Sequence, residues 1–342
     1  MYGKQAARCR TLPRLTFGRR ARGPALLWIG LAVFWVPFIM NSQAPDKVEF
    51  EVPNGLLNVE GNDGTDLPFG YLGPVRYQQV YDASQFSKVA AGGAFITRMS
   101  VRAECNSVGN EVSSNIQVRL STTPRGPDQL SSVFEENAGP DETLVWNVSR
   151  YVPPAGDAGT CLNTFFHGNE FYPDVPFLYD PSKGNLLLDL RKESTEWDPG
   201  LWQRPKLDAQ NVMGDSVSRA VAFSLSTNKA EIVDTLGLVT YFEFFPLPTL
   251  NVAYETNNVV LTWFWSFQRQ TFRLQSSDGL GPGESWIDYP GNIVPSGWTY
   301  KVVIPAASLG AQRFFRLFWD TPQPLGAPLI TTPVEATGTP KP

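Results

Sequence analysis

The chain has 342 residues, a length that suits about two domains, and its 42% hydrophobic and 18% charged content argues against wholesale disorder. Twenty-nine glycines and 29 prolines leave little room for long helices, and a single histidine excludes zinc sites built on two imidazoles. Residues 1–42 carry Lys4, Arg8, Arg10, Arg14, Arg19, Arg20 and Arg22 and no acid, so residues 43–342 hold 21 basic against 33 acidic residues, a balance of −12. A body of that sign repels polyanions, which argues against a nucleic-acid partner.

The basic stretch runs into Pro24–Met40, an apolar segment without a charge. A cationic region followed by such a segment reads as a secretory signal. It falls short of the about 20 residues that a membrane-crossing helix needs, and Pro37 breaks its far end. Ser42 and Ala44 are the small residues at which cleavage could occur, and an uncleaved N-terminal anchor is the alternative. Either way residues 43 onward are expected outside the cytoplasm. Cys9 lies in the signal segment, which leaves Cys105 and Cys161 as an even pair in an oxidising compartment. A disulfide between them is expected, worth about 4 kcal/mol in the chain-entropy model; two buried free thiols are the alternative.

From Val48 onward the apolar residues fall in short runs bounded by Gly, Pro, Asn, Asp or Ser, which is strand spacing. Strands are predicted over Val48–Val52, Val75–Tyr81, Phe95–Ala103, Ile116–Leu120, Thr143–Tyr151, Leu186–Leu190, Val221–Leu225 and Leu238–Phe245. Ile116, Val118 and Leu120 share one face of theirs, with Gln117 and Arg119 on the other, while "NLLLDL" is continuous enough to lie centrally in a sheet. Asp180–Asn185, "DPSKGN", reads as a hairpin turn, and Gln129–Asn137 as the one helical stretch, of two turns at most. Residues 43–246 are therefore expected to form a jelly-roll-like β-sandwich.

"FPLPT" at Phe245–Thr249 marks a boundary. Beyond it, strands are predicted over Leu250–Tyr254, Val259–Trp265, Phe272–Gln275, Trp286–Tyr289, Tyr300–Ile304 and Phe314–Phe318. These make residues 247–320 a smaller fibronectin III/Ig-like sandwich without cysteines, with Trp263, Phe272, Leu274, Trp286 and Phe315 as its expected core. Residues 321–342 read as a Pro- and Thr-rich disordered tail. The expected fold class is all-β throughout.

The segments "NVEGNDGTDLPF", "RYQQVYDASQF", "IQVRLSTTPRGPDQLSSVFEENAGPDETLVW", "PFLYDPSKGNLLLDLR", "GDSVSRAVAFS" and "LGLVTYFEFFP" resemble, in matching order over residues 58–246, a family of uncharacterised exported bacterial proteins. Many members of that family end in a PEP-CTERM sorting tail. The part containing "NNVVLTWFW" and "GWTYKVVIPA" is similar to a small β-sandwich module of large exported proteins from the same bacteria. The resemblance implies architecture and location and no particular activity. This chain lacks the terminal Pro-Glu-Pro, membrane helix and basic cluster of the sorting tail, so release or N-terminal anchoring is the expectation.

Four places could carry chemistry. Glu60, Asn62, Asp63 and Asp66 set four oxygen donors in a Gly-punctuated loop, the ligand type that calcium prefers, although such a cluster is first of all a turn. Trp197 and Trp202, among Asp, Pro, Gln and Arg, could stack on sugar rings or fold back onto the sandwich rim. His167 has Asn163 and Glu170 nearby, but no nucleophile-elbow pattern accompanies it. Glu135–Glu136 and Asp141–Glu142 are the acidic pairs that a glycoside hydrolase would need, and adjacent acids also mark solvated turns. No phosphate-binding loop or dinucleotide fingerprint occurs, and no residue stands out as catalytic. The expected role is therefore a secreted or surface protein for adhesion or polysaccharide binding, with a polysaccharide or a surface protein as partner. A glycan-active hydrolase or a structural envelope component is the alternative.

Overall fold

The face shared by Ile116, Val118 and Leu120 is the inward side of β5 (Val112–Thr123); all three are fully buried, and Gln117 and Arg119 are half-buried on the other side. The computed structural model describes residues 46–107, 112–153, 165, 170–196, 206–264, 272–280, 283–297, 299–310 and 312–319. Every strand pairing within this set is antiparallel.

Two main sheets face each other in the first part of the chain. One is six-stranded, in the order β11 (Ile232–Asp234), β10 (Val217–Ala222), β3 (Val75–Tyr81), β8 (Asn185–Glu196), β5 and β6 (Thr143–Tyr151). The other is four-stranded, in the order β1 (Val48–Val52), β13 (Thr240–Pro246), β4 (Ala94–Val101) and β7 (Phe177–Tyr179). A short rim sheet of β12 (Leu236–Leu238), β9 (Leu207–Asn211) and β2 (Asp63–Thr65) completes this part. Phe50, Phe86, Ile96, Phe242 and Phe244 meet Tyr77, Tyr81, Val118, Leu188 and Val221 in one core cluster. Each large apolar side chain buried there stabilises the fold by about 1.5–3 kcal/mol. Gln79 also points inward; its Oε1 accepts from the Leu238 N–H at 2.8 Å and its Nε2 donates to the Leu238 carbonyl at 2.9 Å. The rim is thereby tied to the large sheet.

The continuously apolar "NLLLDL" lies, as expected, inside the large sheet, where β8 pairs with β3 on one side and β5 on the other. Both its faces are covered. Leu186, Leu188 and Leu190 enter the main core, while Leu187 joins Val80, Leu130, Phe134, Ala220 and Ala222 in a second cluster on the outer face.

The second part of the chain builds two further sheets. One runs β14 (Asn251–Glu255), β15 (Asn258–Phe264), β19 (Thr299–Pro305), β18 (Val294–Ser296), and the other β17 (Ile287–Asp288), β16 (Phe272–Ser277), β20 (Phe314–Trp319). Leu261, Trp263, Leu274, Val302 and Ile304 form their core, and among the described residues no strand pairs across the 247 boundary. Phe95, on the outer side of β4, is fully buried; its ring lies 4.7 Å from Trp319 and 6.1 Å from Phe272.

Several expectations need correction. Residues 180–185 do not join a hairpin: β7 pairs with β4 and β8 with β3 and β5, so this turn carries the chain from one sheet to the other. Asp180 Oδ1 accepts from the N–H and the hydroxyl of Ser182, and Gly184 sits at φ 151°. Gln129–Asn137 holds a single 3-10 turn, Phe134–Glu136. Strand-like contacts, a Val133–Lys229 bridge and the Phe134 N–H on Asn228, compete with helix there and win. The Val221–Leu225 strand lies earlier, at Val217–Ala222, and Leu225 is exposed. In the C-terminal core, Trp263 and Leu274 are buried and Phe315 packs against them, but Phe272 serves the contact with Phe95. Trp286 is only half-buried, under the Arg316 guanidinium at 4.3 Å. Strands of two or three residues, such as β2, β7 and β18, went unforeseen because so short a run carries no periodicity.

Candidate functional site

The antiparallel register of β3, β8 and β5 sets Arg76 opposite Arg191 and Gln117, and sets Gln78 opposite Asp189 and Arg119. Because strand side chains alternate, these residues share the outer face of the large sheet. Two arginines directly opposite each other repel, and Asp189, 1% exposed, resolves the conflict. Arg76 donates to it from Nε at 3.1 Å and Nη2 at 2.7 Å. Arg191 donates from Nε at 3.2 Å and Nη2 at 3.1 Å, and Gln78 Nε2 at 3.1 Å. Burial opposes the charge of Asp189, but the two guanidinium groups outweigh it and hold the carboxyl below the usual range.

The segment after β5 covers part of this polar row. Phe134 lies under the Arg76 guanidinium at 4.3 Å. Asn137, fully buried, donates from Nδ2 to Gln78 Oε1 and to the Ser131 carbonyl, both at 2.9 Å. A Cβ at Gly139 would sit 1.7 Å from the Thr122 carbonyl oxygen, so only glycine allows the loop to lie this close to β5. Asp141 Oδ1 accepts from the Thr122 N–H at 2.8 Å and pins the loop further.

Between this loop and the strands lies a depression of about 500 Å3, lined by Arg76, Glu135, Ala138, Gly139, Pro140, Glu142 and Arg191. One member of each acidic pair reaches it. Glu135 Oε1 accepts from Arg76 Nη1 at 3.0 Å, and Glu142 lies 3.7 Å from Arg119. Glu136 turns instead to Ser131 and Arg125, and Asp141 is spent on the Thr122 N–H. Asp189 is the residue that sequence reasoning missed. Its signal was available: an acid inside an apolar strand, two positions before an arginine, is a charge that must be paired if buried.

The expected cation ligands do not converge. Asn62 clasps Asn211, accepting its N–H at 2.7 Å and donating to its carbonyl at 3.1 Å. Asp63 accepts from the Gly64 N–H and from Asn211 Nδ2. Asp66 begins the turn closed by the Gly70 N–H. Glu60 alone joins a carboxylate group, with Glu104 and Asp208, their oxygens within 4.8 Å of one another. Asp208 and its partner Arg102 are both fully buried, with Arg102 Nε 2.6 Å from Asp208 Oδ2. Arg102 also donates to the carbonyls of Leu57 and Val59, which holds the approach to Glu60. Burial raises the Asp208 and Glu104 carboxyls above the usual range, the Asp208 charge adding to the rise at Glu104 and Arg102 countering it at Asp208. Three such oxygens suit a hard cation but fall short of the six to eight that calcium takes.

Trp197, Trp202, Cys161 and His167 lie outside the described residues. Cys105 is half-buried in the turn after Ala103. Inside the main core, a cavity of about 20 Å3 among Phe69, Tyr77, Tyr81, Met99 and Leu238 is apolar and too small for a ligand. Among the described residues no helix is long and apolar enough to cross a membrane. No protein-family model, curated protein or solved structure matches this chain.

Proposed function

We propose that the chain is an exported, non-enzymatic protein that binds extracellular polysaccharide in adhesion, with the depression beside Arg76 and Arg191 as its binding surface. The observation that carries the reading is the depression itself. It is open and polar, and its floor is held rigid by one buried carboxylate shared between two guanidinium groups. Recognition of hydroxyl-rich chains needs fixed donors and acceptors, with no activated nucleophile. Export rests on the cationic start and the apolar Pro24–Met40, together with the resemblance to exported bacterial proteins. We read the first sandwich as jelly-roll-like, since its first and last strands, β1 and β13, are neighbours, and the second as fibronectin III/Ig-like.

A second reading is favoured by one observation: Glu135 and Glu142, one from each acidic pair, line the same depression, as a glycoside hydrolase would require. Against it, Glu135 is ion-paired with Arg76, whereas a general acid needs a carboxyl kept protonated. Affinity electrophoresis of the full chain through polysaccharide gels, with a parallel assay for new reducing ends, separates the two. Retardation without reducing ends is the expected result. Reducing-end release that is lost in Glu142→Gln would replace binding by hydrolysis.

A further inference from the structure

We infer that the chain's own residues 329–332 dock as an added strand along β20 and cover the apolar side of β14. This rests on the fibronectin III/Ig-like reading of the second sandwich and is independent of the polysaccharide reading. The order β14, β15, β19, β18 facing β17, β16, β20 follows an immunoglobulin domain, where one more strand pairs with the counterpart of β20. Among the described residues β20 pairs with β16 alone. Its six residues, Phe314–Trp319, carry one charge, Arg316, so its second edge is an apolar template for another strand.

The facing side of β14 shows what that strand would cover. Val252 stands opposite Leu261, and Tyr254 opposite Val259. Directly opposed residues share a face of the sheet. Leu261 is fully buried in the core and Val259 packs against it, so Val252 and Tyr254 project inward as well. Yet they are 65% and 66% exposed, whereas Leu250, just before β14, packs on the core. The interior also lacks an acceptor: Trp263 is 1% exposed, and its indole N–H meets no partner among the described residues.

Chain length and layering choose the occupant. Residues 320–342 follow directly on β20 and lie outside the described residues. Residues 320–328 reach at most about 30 Å when extended, against about 20 Å for the length of β20. Any register along its edge is therefore within reach, and tethering makes even a short segment effective. Leu329, Ile330, Thr331 and Thr332 are uncharged strand formers between Pro328 and Pro333, which an edge strand tolerates. With a period of two, either face of such a strand brings an apolar side chain to Val252 and Tyr254. A second copy pairing through its own β20 would bring along the four-stranded sheet packed on it, against β14. A lone extended segment meets no such obstacle.

The test is hydrogen exchange read by mass spectrometry on the full chain, on a chain ending at Asp320, and on the variant Leu329→Asp/Ile330→Asp. The β20 amides that do not bond to β16 should exchange about tenfold more slowly in the full chain than in either variant. The difference should be the same at every protein concentration. Equal protection of β15 and β16 in all three shows that the variants still fold. Identical β20 exchange in the three chains overturns the inference. Slowing that appears only at high concentration also overturns it, since the strand then comes from another copy. Rapid exchange throughout β15 and β16 of the full chain instead overturns the sandwich reading beneath it.

Discussion

Arg76 and Asp189 form a buried ion pair across β3 and β8, with Nη2 2.7 Å from Oδ2 and side-chain exposures of 7% and 2%. Asp189 also neutralises Arg191 on its own strand, so one carboxylate holds two cations on a face that the register would otherwise make repulsive. Asp189→Asn removes the charge without changing the shape. The expected loss is about 3–5 kcal/mol, the usual result of leaving buried charge uncompensated, measured by urea denaturation at neutral pH. The folded-state pKa of Asp189 is depressed, so its contribution is present above the unfolded carboxyl value and is lost as pH falls through the folded one. Wild type should therefore lose its advantage over Asp189→Asn in acid.

Lys192 points into the main sandwich, is fully buried, and donates to the carbonyls of Tyr71 at 2.6 Å and Gly73 at 2.8 Å and to Thr195 Oγ1 at 2.8 Å. Burial pushes its pKa from 10.5 down to about 8. Between these values the unfolded chain holds a proton that the folded chain has shed, so stability rises with pH across that window, by at most about 3 kcal/mol. The three acceptors favour the ammonium form and reduce that gain. Tyr77, Tyr81 and Tyr151 are fully buried with pKa values raised above the usual 10.0, so the unfolded chain loses their protons first and stability falls again in stronger alkali. Denaturation midpoints should pass through a maximum near pH 10, and Lys192→Met should abolish the rising limb.

Phe95 belongs by strand to the first sandwich and by packing to the second, through Trp319 and Phe272. Phe95→Ala should cost about 3–5 kcal/mol at this buried position. Scanning calorimetry should then resolve two transitions, as each sandwich keeps its own core. One unchanged transition would show that the contact does not couple them.

Thiol titration of the native protein, purified under oxidising conditions, should find Cys105 and Cys161 unreactive until a reductant is added. Reduction should then lower stability by about 4 kcal/mol. Two reactive thiols after denaturation without reductant would rule the bridge out.

The all-β class and the position of β1, β3 and β6 were legible because apolar alternation is a local property, carried by neighbours in sequence. The same locality explains the failures. "NVEGNDGTD" looked like one ligand loop, yet Asn62 and Asp63 bind Asn211, and Glu60 meets Glu104 and Asp208. "DPSKGN" has the residues of a turn, but whether a turn closes a hairpin or crosses between sheets depends on which distant strands its arms pair with.

By itself the chain determined its all-β class, where most of its longer strands run and which of their faces are apolar. Tertiary structure alone decided that Arg76, Asp189 and Arg191 share a row, and that Glu135 and Glu142 meet over it from the ends of one loop. The physical reason is that charges placed far apart in sequence interact only once strand register has fixed their distances, and that register is a collective outcome of the whole core.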